Sequence, residues 1–240
     1  MKYFVISDMH GDFTAMISAL QDSGYDQKNP EHTLIVLGDY FGRADISPFS
    51  TGSKQIYDYL LSPDHLNKPI CIKGNHEILT ENIFRRGYLH EIDFSNGDEK
   101  TIISFSEKPG SIFDIGYQED MIKQASESGL REWMKTLPWF YETKTHILTH
   151  GWFPQEILPS SPYATWDDAI WSHTENVLRS YKKDTEKTLV VGHWSAAFLR
   201  RDFHHDHASD VLGLYKWENV VVVDTTTVFS HRVSVYTFEE

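Results

Sequence analysis

Tyr3-Phe4-Val5-Ile6-Ser7-Asp8-Met9-His10-Gly11-Asp12 joins a run of apolar residues to a turn bearing carboxylates and an imidazole. The run has the length and character of a strand buried on both faces. Beyond it Phe13, Met16, Ile17 and Leu20 recur at helical spacing until Gly24 supplies a stop. The rhythm then returns. Thr33 to Leu37 reads as a second core strand ending on Gly38-Asp39, with Ile56, Tyr59 and Leu60 suggesting the next helix. Pro69 to Ile72 reads as a third strand and leads into Gly74-Asn75-His76-Glu77. Repeated strand-loop-helix units predict an α/β protein with a partly parallel sheet covered by helices.

Further along, Thr145 to Thr149 precedes His150-Gly151 and Thr188 to Val191 precedes Gly192-His193. Asn219 to Asp224 and Arg232 to Phe238 read as a closing antiparallel pair. Between about Phe84 and Leu137 the rhythm breaks. This stretch holds Arg85-Arg86-Gly87, a polar Ser95-Asn96-Gly97-Asp98 turn and Pro109-Gly110, with a helix expected from about Glu119 to Leu137. We read it as a cap-like insertion, about 84–137, beside the mouth of a site within one domain spanning 1–240. Open α/β sheets bind ligands in the loops at strand ends.

The bulk composition narrows the classes of function. The chain has 240 residues, 40% of them hydrophobic, enough for a substantial core. A formal net charge of -13 argues against a broad electrostatic grip on nucleic acid or an anionic membrane. It leaves room for a small phosphorylated ligand, because cations within a pocket reverse the local sign. Cys71, in Pro69-Ile70-Cys71-Ile72, reads as a buried inert thiol, and as the single cysteine it can form no intrachain disulfide. Met1 to Ser7 is too short in apolar residues for a signal peptide, and no apolar stretch would span a bilayer, so the expected location is cytoplasmic.

The strand-end turns present Asp8, His10, Asp39, Asn75, His76, His150 and His193. Carboxylate, imidazole and amide together suit manganese, iron or zinc, and a carboxylate can bridge two ions. Two ions about 3.5–4 Å apart can clamp a phosphoryl group and activate water. A lone Asp or Asn in such a turn is usually a cap or turn residue. The set as a whole points to one hydrolytic two-metal centre. The glycines beside each ligand leave room for ions and substrate.

This combination, Asp-Met-His-Gly-Asp, Gly-Asp-Tyr-Phe-Gly-Arg, Gly-Asn-His-Glu, His-Gly and Gly-His-Trp in that order, resembles the calcineurin-like metallophosphoesterases. The similarity is to the branch with serine/threonine protein phosphatases and bacterial diadenosine-tetraphosphate hydrolases. It implies a four-layer αββα sandwich with mixed sheets and two divalent metal ions, Mn, Fe or Zn. Asp8 and His10 would hold one ion, and Asn75, His150 and His193 the other, with Asp39 bridging. His76 would protonate the leaving alkoxide, Arg43 would bind phosphate, and Asn75 and His173 would contact substrate. The implied reaction is in-line attack by a metal-bound hydroxide, without a covalent intermediate. A phosphoprotein is the first expected substrate. A dinucleoside polyphosphate is the alternative, and a metal-loaded regulatory module with weak turnover is the rival of another class.

The chain departs from its relatives at the second motif, where Gly42 stands in place of a carboxylate that supports the histidine equivalent to His76. Asp45 is the nearby acid that could replace it, and Gly42→Asp is expected to raise turnover if proton donation is limiting. Lys73 replaces an arginine before Gly74, and Trp171-Ser172-His173 replaces a Trp-x-Arg segment. Glu77 reads as structural, Asp224 as a brace for the ligands, and His204-His205-Asp206-His207 as a polar loop rather than a second metal site.

Overall fold

The computed structural model describes residues 1–43, 51–106, 114–172, 174–204 and 213–240. Its strands are β1 (Lys2–Ile6), β2 (His32–Val36), β3 (Ile70–Cys71), β4 (Phe140–Glu142), β5 (His146–Thr149), β6 (Thr188–Val191), β7 (Tyr215–Trp217), β8 (Val220–Val222) and β9 (Tyr236–Glu239). They form two mixed sheets with the orders β3-β2-β1-β9 and β4-β5-β6-β8-β7. In the first sheet β1, β2 and β3 run parallel, with Phe4 opposite Leu34 and Ile35 opposite Ile70. In the second β5, β6 and β8 run parallel, with Leu189 opposite Ile147 and Val220. Parallel strands end on a common edge, so the ligand-bearing turns emerge together.

Burial shows how the layers stack. Val5, Ile35, Leu37 and Ile72 of the first sheet pack against Leu148, Val190, Val221 and Val223 of the second, forming the inner layer. The alternate residues Phe4, Ile6, Leu34 and Val36 face outward onto helices that include Phe13–Asp22 and Gly52–Leu60. Leu189, Val191, Val220 and Val222 face a second helical layer containing Val177, Leu178 and Leu199. The result is the αββα sandwich, with each core strand apolar on both faces.

The described residues of the 84–137 stretch join the first outer layer. Ile102, Met121, Ile122, Leu130 and Met134 lie in the same cluster as Phe4 and Leu34. Their helical stretch is two helices, Ile115–Glu127 and Leu130–Lys135, rather than one from 119 to 137. The break falls at Gly129, which has a left-handed φ of 92°.

The closing strands also differ from the expected pair. β8 is buried at every residue and needs a neighbour on each side, which β6 and β7 supply. The chain then crosses to the first sheet, where β9 lies antiparallel to β1. Phe238 anchors the crossing by stacking on Tyr3 at 4.7 Å between ring centroids. Among the described residues no helix is long and apolar enough to cross a membrane.

Candidate metal centre

The turns are tied together before any side chain reaches the site. Asp8 N–H donates to Gly38 O at 3.2 Å, His10 N–H to Asp39 O at 3.0 Å and Gly11 N–H to Tyr40 O at 2.9 Å, lacing the first turn to the second. Glu77 joins the second to the third. Its buried carboxylate accepts from Asp39 N–H at 2.9 Å, Tyr40 N–H at 3.2 Å and Gly74 N–H at 2.8 Å. Gly38 and Gly74 cross so closely that a Cβ on Gly38 would lie 2.5 Å from the Gly74 Cα, so neither turn has room for a side chain there. His193 N–H reaches Asp8 Oδ2 at 3.0 Å and ties the second sheet to the first. Asp8, His10, Asp39 and His193 all adopt left-handed φ, from 49° to 63°. Aspartate and histidine tolerate that region better than most residues, but still at a cost.

Two groups of donors result, and they share Asp39. The ligand atoms of His10, Asp39 and His76 lie within 4.8 Å of one another, as do those of Asp39, His150 and His193. His10 Nε2 sits 3.9 Å from Asp8 Oδ1 and 3.8 Å from Asp39 Oδ2, separations too wide for hydrogen bonds and wide enough for an ion between. On the other side His150 Nδ1 donates to Leu37 O at 2.7 Å. In a neutral ring that bond leaves Nε2 as a bare acceptor. Yet Nε2 lies 2.8 Å from Asn75 Oδ1 and 3.4 Å from Asp39 Oδ1. Acceptors crowded around one point fit a cation.

The electrostatics agree. Burial, with the nearby carboxylates of Asp224 and Asp39, pushes Asp8 well above the usual carboxylate range. Burial likewise lifts Asp224 to about 7 and Glu77 to about 8. Burial lowers His10 to about 3, helped by His76, and also lowers His150. Mutually repelling acids beside neutral imidazoles are the donor set that a divalent cation stabilises. Each group could hold a metal ion.

His76 differs. Burial opposes its charge, but Asp39 and Asp98 outweigh burial and raise it to about 9. Its Nδ1 lies 2.9 Å from Asp98 Oδ1, and Asp98 is fully buried at the start of the helix Asp98–Ser104. The carboxylate missing at Gly42 is thus supplied from the polar turn within residues 84–137. Gly42 explains the exchange of positions. It has a φ of 95°, and a Cβ there would lie 2.9 Å from Gly97 O, so the turn that delivers Asp98 occupies the space a residue-42 side chain would need. Gly42→Asp is therefore expected to strain the site rather than improve it, contrary to the expectation from sequence.

A cavity of about 290 Å³ opens above the donors and is also lined by Arg43, Asn96, Ser195, Phe198, Thr226 and Phe229. Asp224 lines it too, and accepts Thr226 N–H at 2.6 Å. Arg43 is exposed at its rim. Lys73 faces Glu81 at 3.0 Å and Trp139 instead of the cavity. Asp45, His173 and residues 205–212 lie outside the described residues. Sequence reasoning missed Asp98 and Asn96 as site residues. Their one signal was an unusually polar turn in an otherwise helical stretch.

Solved structures of similar shape are distant in sequence. A protein provisionally assigned as a diadenosine tetraphosphatase superposes with a TM-score of 0.56 at 16% identity, over 99% of this chain and 89% of that one. A Saccharomyces cerevisiae serine/threonine phosphatase with similarity to human PP5 gives 0.52 at 14%, over 100% and 80%. A cold-active protein-tyrosine phosphatase from a psychrophilic Shewanella gives 0.53 at 13%, over 100% and 75%. No curated protein sequence matches the chain. The sequence model of the calcineurin-like phosphoesterases matches residues 1–231, a span that contains every turn described above, and the chain belongs to that family.

Proposed function

We propose that the chain is a dinuclear, metal-dependent phosphomonoesterase, most like a serine/threonine protein phosphatase. The observation that supports this best is Asp39, a single buried carboxylate shared by two donor groups at the floor of a cavity. Asp8 and His10 would hold one ion, Asn75, His150 and His193 the other, and Asp39 both. Bound there, two divalent ions would supply Lewis acidity and activate water. His76 lies near the first donor group, but the buried Asp98 carboxylate 2.9 Å from its Nδ1 favours the protonated ring, which is suited to give a proton rather than a lone pair. Its Nε2 would donate to the leaving alkoxide while Asp98 holds Nδ1 and fixes the ring plane. Arg43, at the rim, would offset the charge of the phosphoryl group.

A dinucleoside polyphosphate is the second reading. Phe198 and Phe229 favour it, because both are exposed on the cavity wall, where a base could stack. Assay of the manganese-loaded protein on p-nitrophenyl phosphate, a phosphoserine peptide and diadenosine tetraphosphate separates the two. Turnover of the peptide is expected. Preference for the dinucleotide with negligible peptide turnover overturns the first reading, and inertness toward all three overturns both in favour of a binding module.

A further inference from the structure

Ser195 follows β6 and Thr226 follows β8, and their hydroxyls are hydrogen-bonded to each other on the cavity wall. Two hydroxyls bring two protons, and the bond between them uses one. Ser195 Oγ also accepts from Phe198 N–H at 3.4 Å, as a helix-capping serine does, which occupies lone pairs and no proton. One O–H of the pair therefore has no protein acceptor among the described residues. Ser195 is 4% exposed and Thr226 is half-buried, and both line the cavity, so the remaining O–H lies where a bound group can accept it.

The backbone gives independent support. Thr226 has φ 60° and ψ 48°, the left-handed region, which a β-branched side chain strongly disfavours. Glycine would fit the same turn without strain. The hydroxyl-bearing residue sits where the fold would prefer none, and its Oγ1 points to Ser195 beside the metal donors.

Resting on the phosphoester-hydrolase reading, we infer that the Ser195–Thr226 pair is a substrate-binding element that donates its free O–H to a phosphoryl oxygen of the substrate or of the product phosphate. Asp8, Asp39 and Asp224 line the same cavity and repel such an anion, so fixed donors other than Arg43 and His76 matter for orientation. A purely apolar group or a cation would not accept that O–H; a phosphoryl oxygen would.

The test uses the manganese-loaded protein, with inorganic phosphate as the probe. Phosphate affinity is measured by calorimetry, and KM by turnover of p-nitrophenyl phosphate. Thr226→Val keeps the branched, strained residue and removes its O–H; Ser195→Ala removes the partner. With the buried Ser195 Oγ donating to Thr226 Oγ1, the free proton is that of Thr226, so Thr226→Val is expected to weaken phosphate binding about tenfold or more, the scale of one hydrogen bond to a charged group, with the kinetic loss falling mainly on KM, and Ser195→Ala, which leaves that O–H unanchored, to weaken it severalfold. Thr226→Gly is expected to bind phosphate as weakly as Thr226→Val while melting at a higher temperature, because it releases the left-handed strain. Thr226→Ser should restore binding. Phosphate affinities within about twofold of the unaltered protein in both Thr226→Val and Ser195→Ala overturn the assignment, as does a lower Tm for the glycine variant than for the valine variant. The two readings fail separately. Phosphate binding through the pair without turnover of any ester sinks the hydrolase reading alone. Turnover with unchanged phosphate affinity in the variants sinks the pair alone.

Discussion

His10 and His150 approach Asp39 from opposite sides, and they are held in opposite ways. His150 is fully buried, with Nδ1 committed to the Leu37 carbonyl at 2.7 Å, a bond that crosses from one sheet to the other. His10 is also buried, but its Nδ1 has no partner among the described residues. One half of the centre is set by the backbone before any ion arrives. The other half has its imidazole aimed by packing alone, and an ion there would complete it. The lesson is that a symmetric pair of donor groups need not be symmetric in how it forms. The half facing the second sheet should bind first, and the half facing His76 should depend more on its ion.

The largest expected effect ignores that asymmetry. Asp39→Asn removes the shared carboxylate, and turnover is expected to fall by at least about 10³-fold with metal lost from both halves, read by elemental analysis. Retention of two ions and of activity would show that the halves do not meet at Asp39. A smaller loss, about 10–100-fold, is expected for Asp98→Asn, with metal content preserved, since the change lies behind His76 and outside both donor sets. Gly42→Asp in that background is expected to give no rescue, because residue 42 and the Gly97 turn compete for one space.

The comparison itself is tested by pairing His10→Ala with His150→Ala. Each is expected to lose about one ion. In the metal-free protein, however, His150→Ala should lose roughly 1–3 kcal/mol of stability by orphaning the Leu37 carbonyl. His10→Ala should lose clearly less, since no hydrogen bond is broken. Equal losses by denaturant titration would break the contrast.

The mildest effect is on pH. Asp224, Glu77 and His76 have folded values raised to about 7, 8 and 9. Groups raised above their unfolded values bind more protons when folded, so the stability they confer is lost as pH rises through the folded values. The metal-free protein should therefore melt progressively lower from pH 6.5 to 9. Manganese should reverse that slope by replacing protons with a cation. A flat or rising Tm without metal contradicts the crowding of acids described above.

Much of this was legible in the sequence because the ligands follow apolar runs, and parallel strands must deliver their C-terminal turns to one edge. Asp8, His10, Asp39, Asn75, His150 and His193 could thus be grouped without knowing any contact. Asp98 could not. It lies far along the chain from His76, in a helical stretch, and no spacing rule links a residue to a partner brought by tertiary packing. The strand partners of Val220–Val222 and Tyr236–Glu239 were hidden for a related reason. An apolar run announces burial but not which neighbour provides it, and β7 is only a short alternation, Tyr215-Lys216-Trp217, ahead of a tight turn. Gly42 is the instructive case. From sequence it looked like a loss, and in three dimensions it is the opening through which another acid enters.

The left-handed backbone at Asp8, His10, Asp39 and His193 has an evolutionary consequence. A glycine at any of these positions would relieve backbone strain, and at His10, whose Nδ1 has no partner among the described residues, mutation toward glycine is downhill in stability at a proposed ligand that it would erase. A gene copy freed from its task would drift toward a sturdier and emptier protein. A chain that still carries side chains at all four positions bears a standing load that only selection for what those side chains do would maintain.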